Sequence, residues 1–122
     1  MTKYSVKPMS NIAQVGLDKL DDTACILDES TASPDGILVR STKLSKEDIS
    51  DDLKAISRAG AGVNNIPVDV CTEMGVVVFN TPGANANAVK ELVLAGLMLS
   101  SRNVFDSIDF VKNLSSMQEM SE

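Results

Sequence analysis

Histidine is absent from the 122-residue chain, and aromatic residues make up only 3% of it. Histidine is the side chain that most often acts as a general base near neutral pH, and it is the commonest metal ligand. We therefore expect neither catalysis by this chain alone nor a metal site. Only two cysteines occur, Cys25 and Cys71, and they lack CxxC spacing. This predicts two reduced thiols, both in the core, in a cytoplasmic protein.

Basic residues and long apolar runs are also scarce. Eleven basic residues stand against 17 acidic ones, which gives a net charge of −6. This balance argues against nucleic acid or an anionic membrane as the main partner. The longest apolar run, residues 92–99, is far shorter than the roughly 20 residues of a membrane span, and no secretion signal is predicted. The 43% apolar content is nevertheless sufficient for one domain with a core.

Short apolar segments alternate with helix-like segments along the chain, which is typical of a parallel α/β sheet. Strands are predicted at residues 4–9, 23–27, 36–40, 53–59 and 76–79. Helices are predicted at residues 12–20, 44–51 and 68–74. Ser45 and Asp48 have the spacing of a weak capping box, and Gly75 ends the third helix. The sequence therefore predicts a flavodoxin-like, five-stranded parallel sheet with crossover helices.

A long C-terminal helix is predicted from Asn87 to about Leu114. Residues 92–99 are apolar on every face, so this part should be buried all round. Val104, Ile108 and Val111 then form a single stripe. We interpret residues 1–86 as an α/β domain, 87–114 as an inter-domain or dimerisation helix, and 115–122 as a tail or linker. The alternative is a kinked or shorter helix with a frayed end.

The ends of three neighbouring strands carry residues suited to binding an anion. In open parallel sheets, ligands bind beyond the carboxyl ends of the strands. Strand three is followed by Arg40, Ser41 and Thr42, which supply a guanidinium and two hydroxyls. Strand four is followed by the small residues 59–62, and strand five by residues 80–85 and the positive N-terminal end of the long helix. Together these ends predict a site for a small anion.

Each of these features also has a purely structural interpretation. An arginine at a strand end is most often a surface residue. Gly60 and Gly62 can simply permit a tight turn, and Asn87 can simply cap a helix. The convergence of all three strand ends on one edge favours the functional interpretation.

Four ordered motifs resemble one family. They are residues 36–41 (GILVRS), 58–65 (RAGAGVNN), 75–82 (GVVVFNTP) and 85–92 (NANAVKEL). In this order and spacing they resemble the N-terminal segment of D-2-hydroxyacid dehydrogenases, over residues 4–112. Within the family, the likeness is greatest to members that act on 3-phosphoglycerate in serine biosynthesis. One departure is Asn64, where the family commonly has aspartate.

The resemblance implies a substrate-binding role. By the resemblance, Arg40, Ser41 and Asn85 would contact the carboxylate or phosphate of a small anionic 2-hydroxy acid, with 3-phosphoglycerate favoured. Ala61, Gly62 and Val63 would line the cleft where the substrate carboxyl and the nicotinamide meet, with Ala61 on the nicotinamide side. The complete enzyme would transfer a hydride between C2 of the substrate and NAD, and a homodimer would form through the long helix.

The chain lacks the motif for binding the cofactor itself. A GxGxxG fingerprint beginning at Gly60 requires a third glycine where Asn65 stands and a helix directly afterwards, but Ile66-Pro67 predicts an extended turn. We therefore expect no tight binding of NAD by this chain. One alternative function is a stand-alone flavodoxin-like binding or interaction module.

A phosphoryl-accepting receiver domain is a third possibility, and the sequence disfavours it. Such a domain requires acidic residues after its first strand and an aspartate at the end of its third. Here these places hold Ser10-Asn11 and Arg40-Ser41.

Overall fold

The computed structural model describes residues 3–10 and 12–119, and it describes side chains as far as residue 114. Five strands form one parallel sheet in the order β2-β1-β3-β4-β5. They are β1 (Tyr4–Met9), β2 (Cys25–Leu27), β3 (Gly36–Val39), β4 (Ala55–Arg58) and β5 (Val77–Phe79). The predicted flavodoxin-like parallel sheet is confirmed, since this strand order is the one found in flavodoxin.

The strand order reverses direction at β1. The chain passes from β1 to β2 on one side and then crosses to β3 on the other side. Such a reversal opens a crevice between the carboxyl ends of the two central strands, here β1 and β3. The register pairs Met9 with Val39 and Val39 with Arg58, so the residues that follow β1, β3 and β4 start at the same edge.

The core lies on one face of the sheet. Because successive side chains of a strand point to opposite faces, Ile37, Val39 and Ile56 share this face, and each is at most 2% exposed. Residues from the connecting segments cover them, namely Leu44, Ile49, Leu53, Ile66, Cys71 and Val76. Cys71 lies in the core as predicted, and burial raises the pKa of its thiol, whereas Cys25 is only half-buried because it lies on the edge strand β2.

The opposite face of the sheet is far less covered. Tyr4 and Phe79 are 55% and 56% exposed, and Val77 is 51% exposed. The sheet is therefore packed on one side and carries large apolar side chains accessible to solvent on the other.

The connections of the sheet contain less helix than the sequence predicted. Helix α1 is the single turn Gln14–Leu17, although residues 12–20 were expected to be helical. Its N-cap residue, Ala13, has no side chain that can cap the free N–H groups, so nothing at the start favours a longer helix. The predicted helix at 44–51 is a 3₁₀ turn, Lys46–Asp48, in which the predicted capping box between Ser45 and Asp48 is present.

The third predicted helix is present and ends as expected. Helix α2 spans Val68–Glu73, and its C-cap residue is Met74. Gly75 follows with φ +72°, in the left-handed region that glycine adopts without steric cost.

Residues 85–119 belong to a second compact unit, separate from the sheet unit that ends at Ala84. One continuous helix from Asn87 to Leu114 was expected, but two helices are found: α3 (Ala86–Ser101) and α4 (Val104–Glu119). The helix breaks because Asn103 takes φ +48°, a conformation that asparagine tolerates better than most residues. Helix α4 includes residues 115–119 of the predicted tail or linker, and the last three residues of that segment lie outside the described residues. Among the described residues, no helix is long and apolar enough to cross a membrane.

Candidate anion-binding site

A polar cavity of about 460 Å³ lies at the carboxyl edge of β1 and β3. It is lined by Ser10, Arg40, Ser41 and Thr42. Ser10 directly follows β1, and Arg40 directly follows β3, so the cavity occupies the crevice where the strand order reverses. The sequence predicted Arg40 and Ser41 as site residues at this edge, and the structure brings them together beside Thr42.

The Ser10 side chain binds the backbone N–H groups of the turn after β3, residues 40–42. Its Oγ accepts hydrogen bonds from the backbone N–H groups of Arg40 (3.4 Å), Ser41 (3.4 Å) and Thr42 (3.1 Å). A fourth hydrogen bond of 2.7 Å joins Ser10 Oγ to Thr42 Oγ1. Sequence analysis did not select Ser10 as a binding residue.

Two other side chains donate hydrogen bonds to backbone carbonyl groups of the same turn. The Asn65 amide, which is 9% exposed, donates from Nδ2 to the carbonyl of Thr42 at 2.7 Å and to that of Arg40 at 3.4 Å. Arg58 Nε donates to the carbonyl of Arg40 at 3.1 Å. The peptide groups of the turn are thus fixed on both sides by other parts of the chain.

The side chains of Arg40 and Ser41 remain available to a ligand. Both residues are exposed, and neither side chain forms a hydrogen bond or ion pair with another described residue. Arg40 also contributes to a second, more apolar cavity of about 390 Å³. This cavity is lined by Ile12, Ala13, Val15, Gly16, Arg40, Ala59, Thr81 and Ala84.

Both cavities suit a negatively charged ligand. The described residues that line them include one arginine and no acidic side chain, although the whole chain carries a net charge of −6. A guanidinium can grip a carboxylate or phosphate with two parallel hydrogen bonds. The surrounding hydroxyls can donate to the same oxygens.

The glycine-containing loop after β4 is anchored from three directions. Arg58 Nη1 donates to the carbonyl of Gly62. The carbonyl of Ala61 accepts from Asn80 Nδ2 at 2.7 Å, and the carbonyl of Gly60 accepts from the Thr81 N–H at 3.0 Å. The ends of β4 and β5 are therefore tied together, as the sequence predicted when it placed both at one edge.

The remaining predicted residues lie in different settings. Ala61 and Gly62 are exposed, while Val63 is half-buried and its carbonyl accepts from the Ile66 N–H at 3.0 Å. Asn85 belongs to the second unit, where it is the N-cap residue of α3 and makes no side-chain capping bond.

The described residues offer no site for a metal or for the pyrophosphate of a dinucleotide. They contain no group of three His, Cys, Asp or Glu side chains that could hold a metal ion. The glycine-containing loop is followed by a turn, and α2 does not begin until Val68. A pyrophosphate site of the GxGxxG type instead requires a helix N-terminus directly after the glycines.

The fold and this edge define a doubly wound α/β domain with a candidate site for a small anion at the point where its strand order reverses. Residues 2–121 match the family described as D-isomer specific 2-hydroxyacid dehydrogenase, catalytic domain. The chain belongs to this family, which confirms the resemblance of its four motifs.

Several relatives in sequence are named D-3-phosphoglycerate dehydrogenase. The protein of that name from Synechocystis sp. is 36% identical across 91% of this chain, and that from Methanocaldococcus jannaschii is 39% identical across 62% of it. A hydroxypyruvate reductase from Thermotoga maritima is 46% identical across 54% of this chain. The chain spans only 22%, 15% and 22%, respectively, of the lengths of these three relatives.

Two solved dehydrogenase structures share the fold of this chain. An NAD⁺-bound 3-phosphoglycerate dehydrogenase of Entamoeba histolytica matches 80% of this chain with a TM-score of 0.67 and 25% identity, and the match covers 39% of that protein. A 2-hydroxyacid dehydrogenase of Ketogulonicigenium vulgare Y25 matches 93% of this chain with a TM-score of 0.75 and 22% identity, covering 40% of that protein. Because its sequence identity is only 22%, the Ketogulonicigenium structure supports the fold of this chain and nothing further.

Proposed function

We propose that this chain is the substrate-binding portion of an NAD-dependent D-2-hydroxyacid dehydrogenase that acts on 3-phosphoglycerate. Membership of the family supports the class of enzyme, and relatives named D-3-phosphoglycerate dehydrogenase support the substrate. The observation that carries the proposal concerns the Arg40 side chain. Its guanidinium is unpaired among the described residues, and it lines two cavities whose described lining residues include no acidic side chain.

In this proposal the residues of the carboxyl edge recognise the negative groups of the substrate. Arg40 grips a carboxylate or phosphate, and the hydroxyl of Ser41 donates to its oxygens. Ala61, Gly62 and Val63 line the cleft beside C2 of the substrate, with Ala61 on the nicotinamide side.

The complete enzyme would transfer a hydride between C2 of the 2-hydroxy acid and NAD. The family and the NAD⁺-bound structural relative support this cofactor. The described residues do not fit its pyrophosphate, and the chain has no histidine to move a proton. We therefore propose that this chain neither binds NAD tightly nor turns over substrate by itself.

The isolated chain should bind its anion weakly. A hydrogen bond to a charged group is worth about 1.5 to 3 kcal/mol, while association costs about 4 kcal/mol or more in lost freedom of motion. A site that offers one arginine and a few hydroxyls should therefore have a dissociation constant in the millimolar range. We further propose a cytoplasmic protein, because Cys25 and Cys71 are both free thiols.

The proposal is tested by titrating 3-phosphoglycerate into the full 122-residue chain and following backbone amides by NMR. The amides of Ala61 and Gly62 are expected to shift. Arg40→Ala should weaken binding by about 10- to 100-fold, because it removes a charge-assisted hydrogen bond. Arg102→Ala is the matched control, since it removes the same charge from an exposed residue of the second unit and should not alter the affinity.

Two results would contradict the proposal. One is the absence of ligand-induced shifts at the Ala61 and Gly62 amides in the parent chain. The other is equal affinity of the Arg40→Ala variant and the parent. Either result would favour a stand-alone binding or interaction module with a different ligand.

A further inference from the structure

Ser10 has an unusual backbone conformation at the edge of the candidate site. Its φ is +100°, in the region that residues with a side chain rarely adopt, and it directly follows Met9, which pairs with Val39 at the end of β3. Backbone strain of this kind persists only where surrounding contacts fix it, and it is frequent at binding sites. Ser10 is held by the contacts of its hydroxyl with the turn after β3 and by a hydrogen bond of 2.8 Å that its carbonyl accepts from the Ile12 N–H.

The hydrogen bonds of the Ser10 hydroxyl favour one direction for its proton. A serine oxygen has two acceptor lone pairs and a single proton. Three consecutive N–H groups, those of Arg40, Ser41 and Thr42, already point at this oxygen on its acceptor side. Either oxygen can be the donor in the 2.7 Å contact between Ser10 Oγ and Thr42 Oγ1, and the occupied acceptor side of Ser10 favours Ser10 as that donor.

The direction of the hydrogen bond between Ser10 and Thr42 determines whether the Thr42 hydroxyl can donate its own proton elsewhere. With Ser10 as the donor, Thr42 Oγ1 accepts this hydrogen bond and its own proton is left to another acceptor. Among the described residues the Thr42 side chain has no hydrogen-bond partner other than Ser10, and it lines the 460 Å³ cavity together with Arg40 and Ser41. The backbone of Thr42 is held in place, because its N–H donates to Ser10 and its carbonyl accepts from Asn65.

We propose that Thr42 donates a hydrogen bond directly to the carboxylate or phosphate bound in this cavity, and that Ser10 is the positioning residue that orients the Thr42 hydroxyl. The inference rests on the proposed function, because it concerns the same anion. It adds a direct contact at Thr42 and a residue, Ser10, that acts through it without touching the ligand.

The test titrates 3-phosphoglycerate into the full chain and three variants, with D-glycerate in parallel to separate binding of the phosphate from binding of the carboxylate. Thr42→Val keeps the branched shape and removes the hydroxyl, and it should weaken binding about tenfold. Thr42→Ser keeps the hydroxyl and should restore nearly all of the affinity. Ser10→Gly tolerates the left-handed conformation while removing the orienting hydroxyl, and it should cause a loss close to that of Thr42→Val.

A double-mutant cycle separates the positioning role from a role in folding. If Ser10 acts through Thr42, the variant carrying both Ser10→Gly and Thr42→Val should bind no more weakly than Thr42→Val alone. Independent, additive losses would overturn the positioning role. A Ser10→Gly variant with a lower Tm but unchanged affinity would also overturn it, since the hydroxyl would then serve the fold alone.

The outcomes also distinguish this inference from the proposed function. Binding by the parent that falls with Arg40→Ala but is unchanged by Thr42→Val would overturn the role of Thr42 and leave the proposed function standing. No binding of either ligand by the parent at tens of millimolar would overturn both. If Ser10→Gly does not fold, Thr42→Val and Thr42→Ser still decide whether Thr42 contacts the anion.

Discussion

At the scale of single residues, Gly62 makes room for a neighbouring side chain. A Cβ atom at this position would lie 3.1 Å from Arg58 Nη1 and 3.2 Å from Asn64 Oδ1, closer than ordinary contacts allow. Arg58 uses this space to donate to the carbonyls of both Gly62 and Arg40. The glycine therefore permits the arginine that ties the loop after β4 to the turn after β3.

Replacing Gly62 by valine should displace the Arg58 guanidinium. Overpacking a fixed contact costs about 1 to 3 kcal/mol, so the free energy of unfolding should fall by this order. Denaturant unfolding measures the loss, and the NMR signal of the Arg58 Nε–H should move as its bond to Arg40 is lost. Gly16→Ala is a control, because nothing lies within 4 Å of the added Cβ. A valine variant of unchanged stability and unchanged Arg58 signal would mean that Gly62 serves only as a turn residue.

At the scale of secondary-structure elements, an acidic side chain links the starts of three strands. Asp35 precedes β3, accepts from the backbone N–H of Ser5 in β1 at 2.9 Å, and forms an ion pair with Lys54, which precedes β4. Lys54 also lies 5.6 Å from the centroid of the Tyr4 ring. The Lys54 ammonium and the Ser5 N–H hold the pKa of the Asp35 carboxyl below its usual value.

This lowered pKa predicts a pH-dependent effect of Asp35→Asn. The pKa of Asp35 is lower in the folded chain than in the unfolded one, so the carboxylate contributes stability above the unfolded value of about 3.9. The contribution is lost as the pH falls through the folded pKa. Asp35→Asn should therefore lower Tm at pH 5 to 7, and the difference from the parent should disappear in more acidic solution.

Thermal unfolding between pH 2 and 7 checks this prediction. Asp51→Asn is the matched control, because Asp51 is exposed and its side chain has no partner among the described residues. A difference between Asp35→Asn and the parent that stays constant down to pH 2 would show that the ionised carboxylate is not its cause.

The strands were predictable from the sequence, and the lengths of the helices were not. Three of the strands, β2, β3 and β5, are short apolar runs followed directly by a polar residue, and this local pattern is sufficient to locate them. Helix length also depends on caps and on tertiary packing, which is why residues 12–20 form only one turn. At the end of α3, the hydroxyls of Ser100 and Ser101 bond to carbonyls of the preceding turn, and Asn103 then breaks the helix. The polar run at 100–103 was a local indication of this break that the apolar pattern on either side obscured.

The candidate site was predictable only in part, for a similar reason. Arg40 and Ser41 were identified because they follow a buried strand at the edge where ligands bind. Ser10, Arg58 and Asn65 were missed as residues that hold the site, because their roles depend on contacts with backbone groups of other segments. A positive φ at a serine follows from no rule of residue type, so the contact of Ser10 with the turn after β3 is visible only in the structure.

At the scale of the whole molecule, the second unit carries an unusual amount of exposed apolar surface. On α3, Leu92, Leu97 and Met98 are 75%, 61% and 68% exposed, and on α4 Phe105 and Phe110 are 68% and 64% exposed. Successive residues of a helix are about 100° apart, so the run from Leu92 to Leu94 alone covers more than half of the circumference. Contiguous apolar surface of this kind typically marks an interface between proteins.

We expect the 122-residue chain to self-associate through α3 and α4, with a closed twofold dimer as the commonest form of such pairing. Burying about 400 Å² of apolar surface would gain roughly 10 kcal/mol at 25 cal/mol per Å², against an association cost of about 4 to 15 kcal/mol, so an interface of this size favours the dimer where the association cost is below about 10 kcal/mol. Light scattering measures the mass. Leu92→Lys and Leu97→Lys should yield monomers, whereas Ser100→Lys adds the same charge to α3 without removing an apolar side chain and should remain associated. A monomeric parent whose circular dichroism shows both helices intact would rule out these apolar faces as an interface between copies of the chain.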